Sequence, residues 1–128
     1  MPYTSANIHV MPFIDEMPAA YALADMVVSR AGALAISELC LMGKPTLFIP
    51  SPNVAENHQE KNAQALADKE AALLVAERDA DEQFWTTLES LITDASLRTK
   101  LGENIKGFAH PTATKEILNR LIKILTHE

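Results

Sequence analysis

Cysteine is almost missing from this 128-residue chain: Cys40 stands alone, so no disulfide forms within it and a reducing cytoplasm is the expected setting. Between Leu39 and Leu41, the thiol reads as a small core residue rather than a nucleophile. Aromatic residues are scarce too, at 5%, so the core has to be aliphatic and alanine-rich, as where helices pack on a sheet. Four glycines and seven prolines exclude a collagen-like or low-complexity chain. Cations are in short supply, with 11 Lys and Arg against 17 Asp and Glu and a net charge of -6. That balance argues against nucleic-acid binding and leaves no basic patch for anionic lipid. No window of about 18 apolar residues occurs, so no membrane span is expected. The first residues, Met1 to Ser5, lack the charged and hydrophobic pattern of a signal peptide.

What is present is ordinary for a globular domain: 48% hydrophobic and 22% charged residues, in a length that makes one domain or a piece of one. Such a length buries a real core. No internal repeat or long linker divides it. Asn7–Met11 reads as a short extended run and Asp15–Asp25, with Pro18 near its start, as a short helix. Met26–Ser29 is an apolar strand, and Gly32–Met42 a helix stopped by Gly43. Pro45–Pro50 is a continuous apolar run between prolines, the pattern of a buried parallel strand. A polar loop over 51–56 leads to a helix over Asn57–Glu70 and a strand at Ala72–Val75. Three helices follow, at Asp81–Ile92, Ala95–Lys106 and Thr114–Leu125, with Asp81 and Asp94 as expected N-caps. The apolar stripe of the last one (Ile117, Leu118, Leu121, Ile122, Leu125) predicts a helix lying back on the body. Strands alternating with helices predict a Rossmann-like parallel sheet with flanking helices, strands and helices over 7–75 and helices over 81–126. Four strands fall short of the six of a complete Rossmann-like sheet.

The stretch that carries chemistry runs from Asp25 to Asn62. A strand ends in Ser29-Arg30-Ala31-Gly32-Ala33 and a helix starts at once, the geometry of an anion site in open α/β sheets. Gly32 lets a phosphate approach the backbone, while Ala33, Leu34 and Ala35 offer amides. From local sequence alone a plain tight turn fits Gly32 equally well. Glu38, on the same helix, has a carboxylate able to accept from two vicinal ribose hydroxyls; taken alone, a solvated helix glutamate is the better reading. His58 and Gln59, beyond the proline-bounded strand, suit sugar hydroxyls or phosphate oxygens. No second His or Cys stands at metal-ligand spacing, which argues against zinc.

Three segments together, Ser29-Arg30-Ala31-Gly32-Ala33-Leu34-Ala35-Ile36-Ser37-Glu38, Gly43-Lys44-Pro45-Thr46-Leu47-Phe48-Ile49-Pro50 and His58-Gln59-Glu60-Lys61-Asn62-Ala63, resemble the donor-binding half of the MurG family, the UDP-N-acetylglucosamine transferases of peptidoglycan synthesis. Phe13-Ile14-Asp15-Glu16-Met17 and Ala22-Leu23-Ala24-Asp25 fit the same pattern. The resemblance is high over residues 8–75 and looser to the C-terminus. It implies a partial C-terminal domain of a GT-B glycosyltransferase, with Phe13 and Ile14 flanking the uracil and Gly32, Ala33 and Leu34 lining the diphosphate, Ala35 nearby. Glu38 would hold the ribose, and Gln59 with His58 the N-acetylglucosamine. Arg30 would pair with phosphate or with an acid such as Asp25 or Glu38. The family often has a hydroxyl residue where Ala35 stands, and some relatives a glutamine where His58 stands.

The resemblance further implies an inverting transfer of N-acetylglucosamine to lipid I, giving lipid II, with no metal or other cofactor. Lipid I would be bound by an N-terminal domain that also carries the candidate base, at the inner face of the bacterial membrane. The chain would begin at the third strand of the C-terminal domain, a donor-binding piece inactive by itself, its exposed sheet edge open to dimerisation. Two alternatives remain at this point. One is another GT-B enzyme, a glycolipid glycosyltransferase or a UDP-N-acetylglucosamine 2-epimerase; the other is a non-catalytic α/β module.

Overall fold

The computed structural model describes residues 7–52, 58–109, 119 and 122–126. Helix α1 (Met17–Leu23) opens with Pro18 in its first turn, where the missing N–H is no loss. It is shorter than the expected 15–25, because Ala24 turns extended at ψ 142 to feed strand β1 (Val27–Ser29). Lys44 Nζ donates to the carbonyls of Ala22 and Ala24, satisfying acceptors that the helix end leaves open. Helix α2 (Ala33–Met42) stops at Gly43, whose φ of 63 is left-handed; glycine adopts this conformation without the strain of a Cβ.

Strand β2 (Thr46–Phe48) is wholly buried. Helix α3 (His58–Asp68) leads to β3 (Leu73–Leu74) and a 3₁₀ turn at Glu77–Asp79. Helices α4 (Ala80–Thr93) and α5 (Ala95–Lys106) follow. Asp94 caps α5 as expected, accepting from the Leu97 amide at 3.0 Å. Asp81 does not cap α4; it lies in the first turn, and Asp79 holds the cap position. Asn57, the first residue of the expected helix, lies outside the described residues.

The sheet is parallel, in the order β1-β2-β3, with Val27 opposite Thr46, Ser29 opposite Phe48, and Phe48 opposite Leu74. It has three strands among the described residues, where the sequence predicts four. Asn7–Met11 forms no strand and every one of its residues is exposed. Alternating apolar side chains do not make a strand without a neighbouring ladder to pair with. Side chains alternate across the sheet. Phe48, Val27 and Leu74 join Tyr21, Leu39, Ala63 and Leu66 on the face covered by α1, α2 and α3, with Ile105 reaching in from α5. Leu47, Leu73 and Val75 join Phe84, Leu88, Leu91 and Leu101 on the other face, under α4 and α5. The core is aliphatic, as the lack of aromatics requires.

Helix α5 comes so close to the α2–β2 corner that a Cβ at Gly102 would stand 2.7 Å from the Gly43 carbonyl oxygen. Residues 122–126 are helical, but Ile122 and Leu125 are exposed. These two members of the C-terminal stripe are not buried against the body; Ile117, Leu118 and Leu121 lie outside the described residues.

Candidate functional site

The carboxyl ends of the three strands face one way, and the segments leaving them build the site. Strand β1 runs into Arg30-Ala31-Gly32 and then α2. Strand β2 runs into Ile49–Pro52, and β3 into Val75 and the 3₁₀ turn. Gly32 is the N-cap of α2 with φ -68 and ψ 151, and no side chain caps the helix. Its carbonyl accepts from the Ile36 amide at 3.0 Å, so the first-turn amides of Ala33, Leu34 and Ala35 have no acceptor within the helix. Ala33 is exposed and Leu34 is 64% exposed, so the helix begins at the surface.

Gly32's backbone is one that any residue adopts. A Cβ there would meet only Gln59 Nε2, at 3.8 Å. Neither conformation nor packing requires glycine at this position, and what the missing side chain leaves is space in front of the helix mouth. That favours a cradle over a plain tight turn.

Glu38 is 4% exposed, so it is no solvated surface glutamate. Carboxylates are seldom buried to this degree unless paired or hydrogen-bonded. It lies toward α1, close enough to Tyr21 that its charge, added to the larger effect of burial, pushes the Tyr21 phenol above its usual value. Phe13 and Ile14 sit on the segment that enters α1, with Phe13 74% exposed. Cys40 is buried and its thiol is pushed up to about 11 by desolvation, which keeps it protonated and unreactive at neutral pH.

Gln59 stands in the first turn of α3, beside the exposed His58. Its Oε1 accepts from the Ala31 amide at 3.2 Å and from the Ser51 amide at 2.8 Å. Arg30 Nη1 donates to the carbonyls of Ile49 and Pro50, and Nη2 to Glu77 Oε1 at 2.6 Å. The acid that pairs with Arg30 is therefore Glu77, carried in from beyond β3, not Asp25 or Glu38. A second pair, Arg78 to Glu60 at 3.2 Å, lines a hollow of about 310 Å³ with Pro50, Ser51 and Glu77. The hydrogen bond to Glu60 and its charge push the Arg78 guanidinium up.

Another groove, of about 360 Å³, opens at Ala33 and runs between α2 and α3, with Ser37, Lys61 and Asn62 as its polar wall. Local sequence assigns no role to Glu77, Ser51 or Asn62. For Glu77 and Ser51 the chain carries no signal, since their importance comes from which loops the sheet brings together. Asn62 has one, its place one turn beyond His58 on the same helix.

A parallel α/β domain with an uncapped glycine-led helix at the carboxyl end of its strands belongs to the class of open-sheet α/β domains, whose ligands bind beyond the strands' carboxyl ends. Comparison with known proteins narrows the class. The glycosyltransferase family 28 C-terminal domain matches residues 2–117, and the chain belongs to that family, whose members are C-terminal domains of GT-B glycosyltransferases. A protein of Flavobacterium psychrophilum named UDP-N-acetylglucosamine–N-acetylmuramyl-(pentapeptide) pyrophosphoryl-undecaprenol N-acetylglucosamine transferase is 49% identical over 93% of this chain and 32% of its own length. The protein of the same name from Christiangramia forsetii is 46% identical over 98% of this chain and 34% of its own. The crystal structure of Acinetobacter baumannii MurG superposes with a TM-score of 0.74 at 31% identity, over 90% of this chain and 33% of that one. The chain thus spans about a third of the length of the relatives it matches.

Proposed function

We propose that this chain binds UDP-N-acetylglucosamine as the donor half of an inverting transferase that delivers N-acetylglucosamine to lipid I. The observation that carries the reading is the Gly32 mouth of α2: uncapped, unobstructed and opened by a glycine that the fold itself does not need. The uracil lies on Phe13 and Ile14, the ribose hydroxyls on Glu38, and the diphosphate on the amides of Gly32, Ala33 and Leu34, beside Ala35. The sugar lies toward Gln59 and His58, where the groove wall adds Asn62. Arg30 acts through the loop that it ties down.

In the transfer, the acceptor hydroxyl attacks the anomeric carbon and UDP leaves, so negative charge grows on the diphosphate. Fixed amides at a helix N-terminus stabilise that charge without having to reorient. The acceptor must lose a proton to a base, and the family resemblance puts that base on an N-terminal domain. The chain by itself is therefore expected to bind donor without turning it over. The acceptor in the relatives' name is carried on undecaprenol, which supports a reading in which the whole enzyme meets a membrane face peripherally. No helix among the described residues is long and apolar enough to cross a membrane.

Calorimetric titration tests the reading. UDP-N-acetylglucosamine is expected to bind the purified chain more tightly than UDP-glucose. Equal affinity for the two would favour another enzyme of the same architecture, and no binding of either by folded protein would favour a non-catalytic module.

A further inference from the structure

The Gln59 amide group is in contact with two segments far apart in sequence. Both of its accepted protons come from backbone amides, Ala31 at 3.2 Å and Ser51 at 2.8 Å. An amide oxygen has two lone pairs, so its accepting capacity is filled. The orientation of the group is also settled by chemistry, since an NH₂ turned toward two N–H donors would face them with protons. Nε2 is left on the Gly32 side, 3.8 Å from where a Cβ would stand. Ala31 is fully buried, so its amide has no water to turn to if the oxygen is removed.

Arg30 works the same junction in the opposite sense, giving protons to the Ile49 and Pro50 carbonyls. One side chain donates and the other accepts, and between them the β1–α2 turn is fastened to the loop after β2. A sugar hydroxyl gains no acceptor from Gln59 while both bonds stand.

We propose that Gln59 is a positioning residue of the diphosphate turn, its carbonyl oxygen fixing Ala31 and hence the direction of the α2 amides. This deepens the donor-binding reading and rests on it. Loss of the oxygen then weakens every ligand that carries the diphosphate, whereas loss of a sugar contact weakens only the nucleotide sugar.

The experiment is nuclear magnetic resonance on the whole chain, paired with titrations of UDP and UDP-N-acetylglucosamine. In the wild type, scalar couplings across the hydrogen bonds are expected from the Ala31 and Ser51 amide nitrogens to Gln59 Cδ. Gln59→Met should abolish slow exchange at both amides and weaken UDP about tenfold, as for hydrogen bonds of ordinary strength, with UDP-N-acetylglucosamine weakened at least as much. Gln59→Glu, which keeps an accepting oxygen, should restore the protection of both amides. The idea is overturned if the wild-type couplings are absent, a measurement that needs no variant to fold. It is overturned equally if Gln59→Met weakens UDP-N-acetylglucosamine and leaves UDP unchanged. A wild-type chain that binds neither nucleotide overturns the donor reading and with it the diphosphate role; the couplings and exchange rates then decide the fastening alone.

Discussion

Three glycines of this chain show how the same residue answers to different demands. Gly43 is left-handed, and a Cβ there would collide with the Lys106 side chain. Gly102 lets α5 touch the Gly43 carbonyl. Gly32 meets neither demand, having an ordinary extended φ and open space ahead of it. Gly32→Ala should therefore fold as well as the wild type, and even gain about 0.5 kcal/mol from a less flexible unfolded chain. Its new methyl group would stand where we propose that the diphosphate lies. We expect UDP-N-acetylglucosamine affinity to fall by at least about tenfold with a thermal midpoint unchanged or higher; affinity equal to the wild type's would remove Gly32 from the site. The sequence displayed this glycine but not its freedom, because conformation and neighbours are properties of the folded chain. Glu38 is the matching case. Its residue type fits a ribose, a solvated side chain is the better local reading, and its burial is a property of the folded chain.

At the scale of elements, legibility follows whether a boundary is written locally. The end of α2 is spelled out by Gly43, and the break between α4 and α5 by Asp94, both chemical stop or start signals. Strand content is different, since a strand exists through its partner. Ile8 and Val10 alternate as a strand should, but no strand among the described residues pairs with them, while Pro45 and Pro50 bracket a run of which Thr46–Phe48 is strand. The α4–α5 corner allows a direct test of the distinction. Asp94 Oδ1 holds the Leu97 amide, and Arg98 returns across the corner to donate to the Leu91 and Ile92 carbonyls. Asp94→Ala should cost about 1 kcal/mol in urea denaturation. Asp81→Ala, inside the first turn of α4 and not at its cap, should stay within about 0.5 kcal/mol. Equal losses would mean that Asp94 stabilises through charge near a helix start rather than through its bond to Leu97.

For the whole molecule, the layers were readable from alternation alone, but where the sheet ends was not, because that depends on which strands find each other. The consequence lies along β1. Val27 and Ser29 spend their backbone groups on β2, through the bonds from Val27 N–H to the Pro45 carbonyl and from Ile49 N–H to the Ser29 carbonyl. Alternation then turns the N–H and C=O of Val28 outward, on the side where the described residues supply no strand. Its side chain, 43% exposed, leaves the same edge apolar. Open edges of this kind template pairing with another chain, and a lysine on them is a common deterrent. We therefore expect the chain to associate with itself as its concentration rises from micromolar to millimolar, the range in which unpaired edges become hazardous, and Val28→Lys to suppress the association. Because the side chain is already partly in water, the substitution should leave stability within about 0.5 kcal/mol, so a loss of association cannot be put down to unfolding. Sedimentation velocity on both proteins decides the matter. A wild-type chain that stays monomeric throughout, or one whose association ignores Val28→Lys, would show that the β1 edge is protected by something other than a strand.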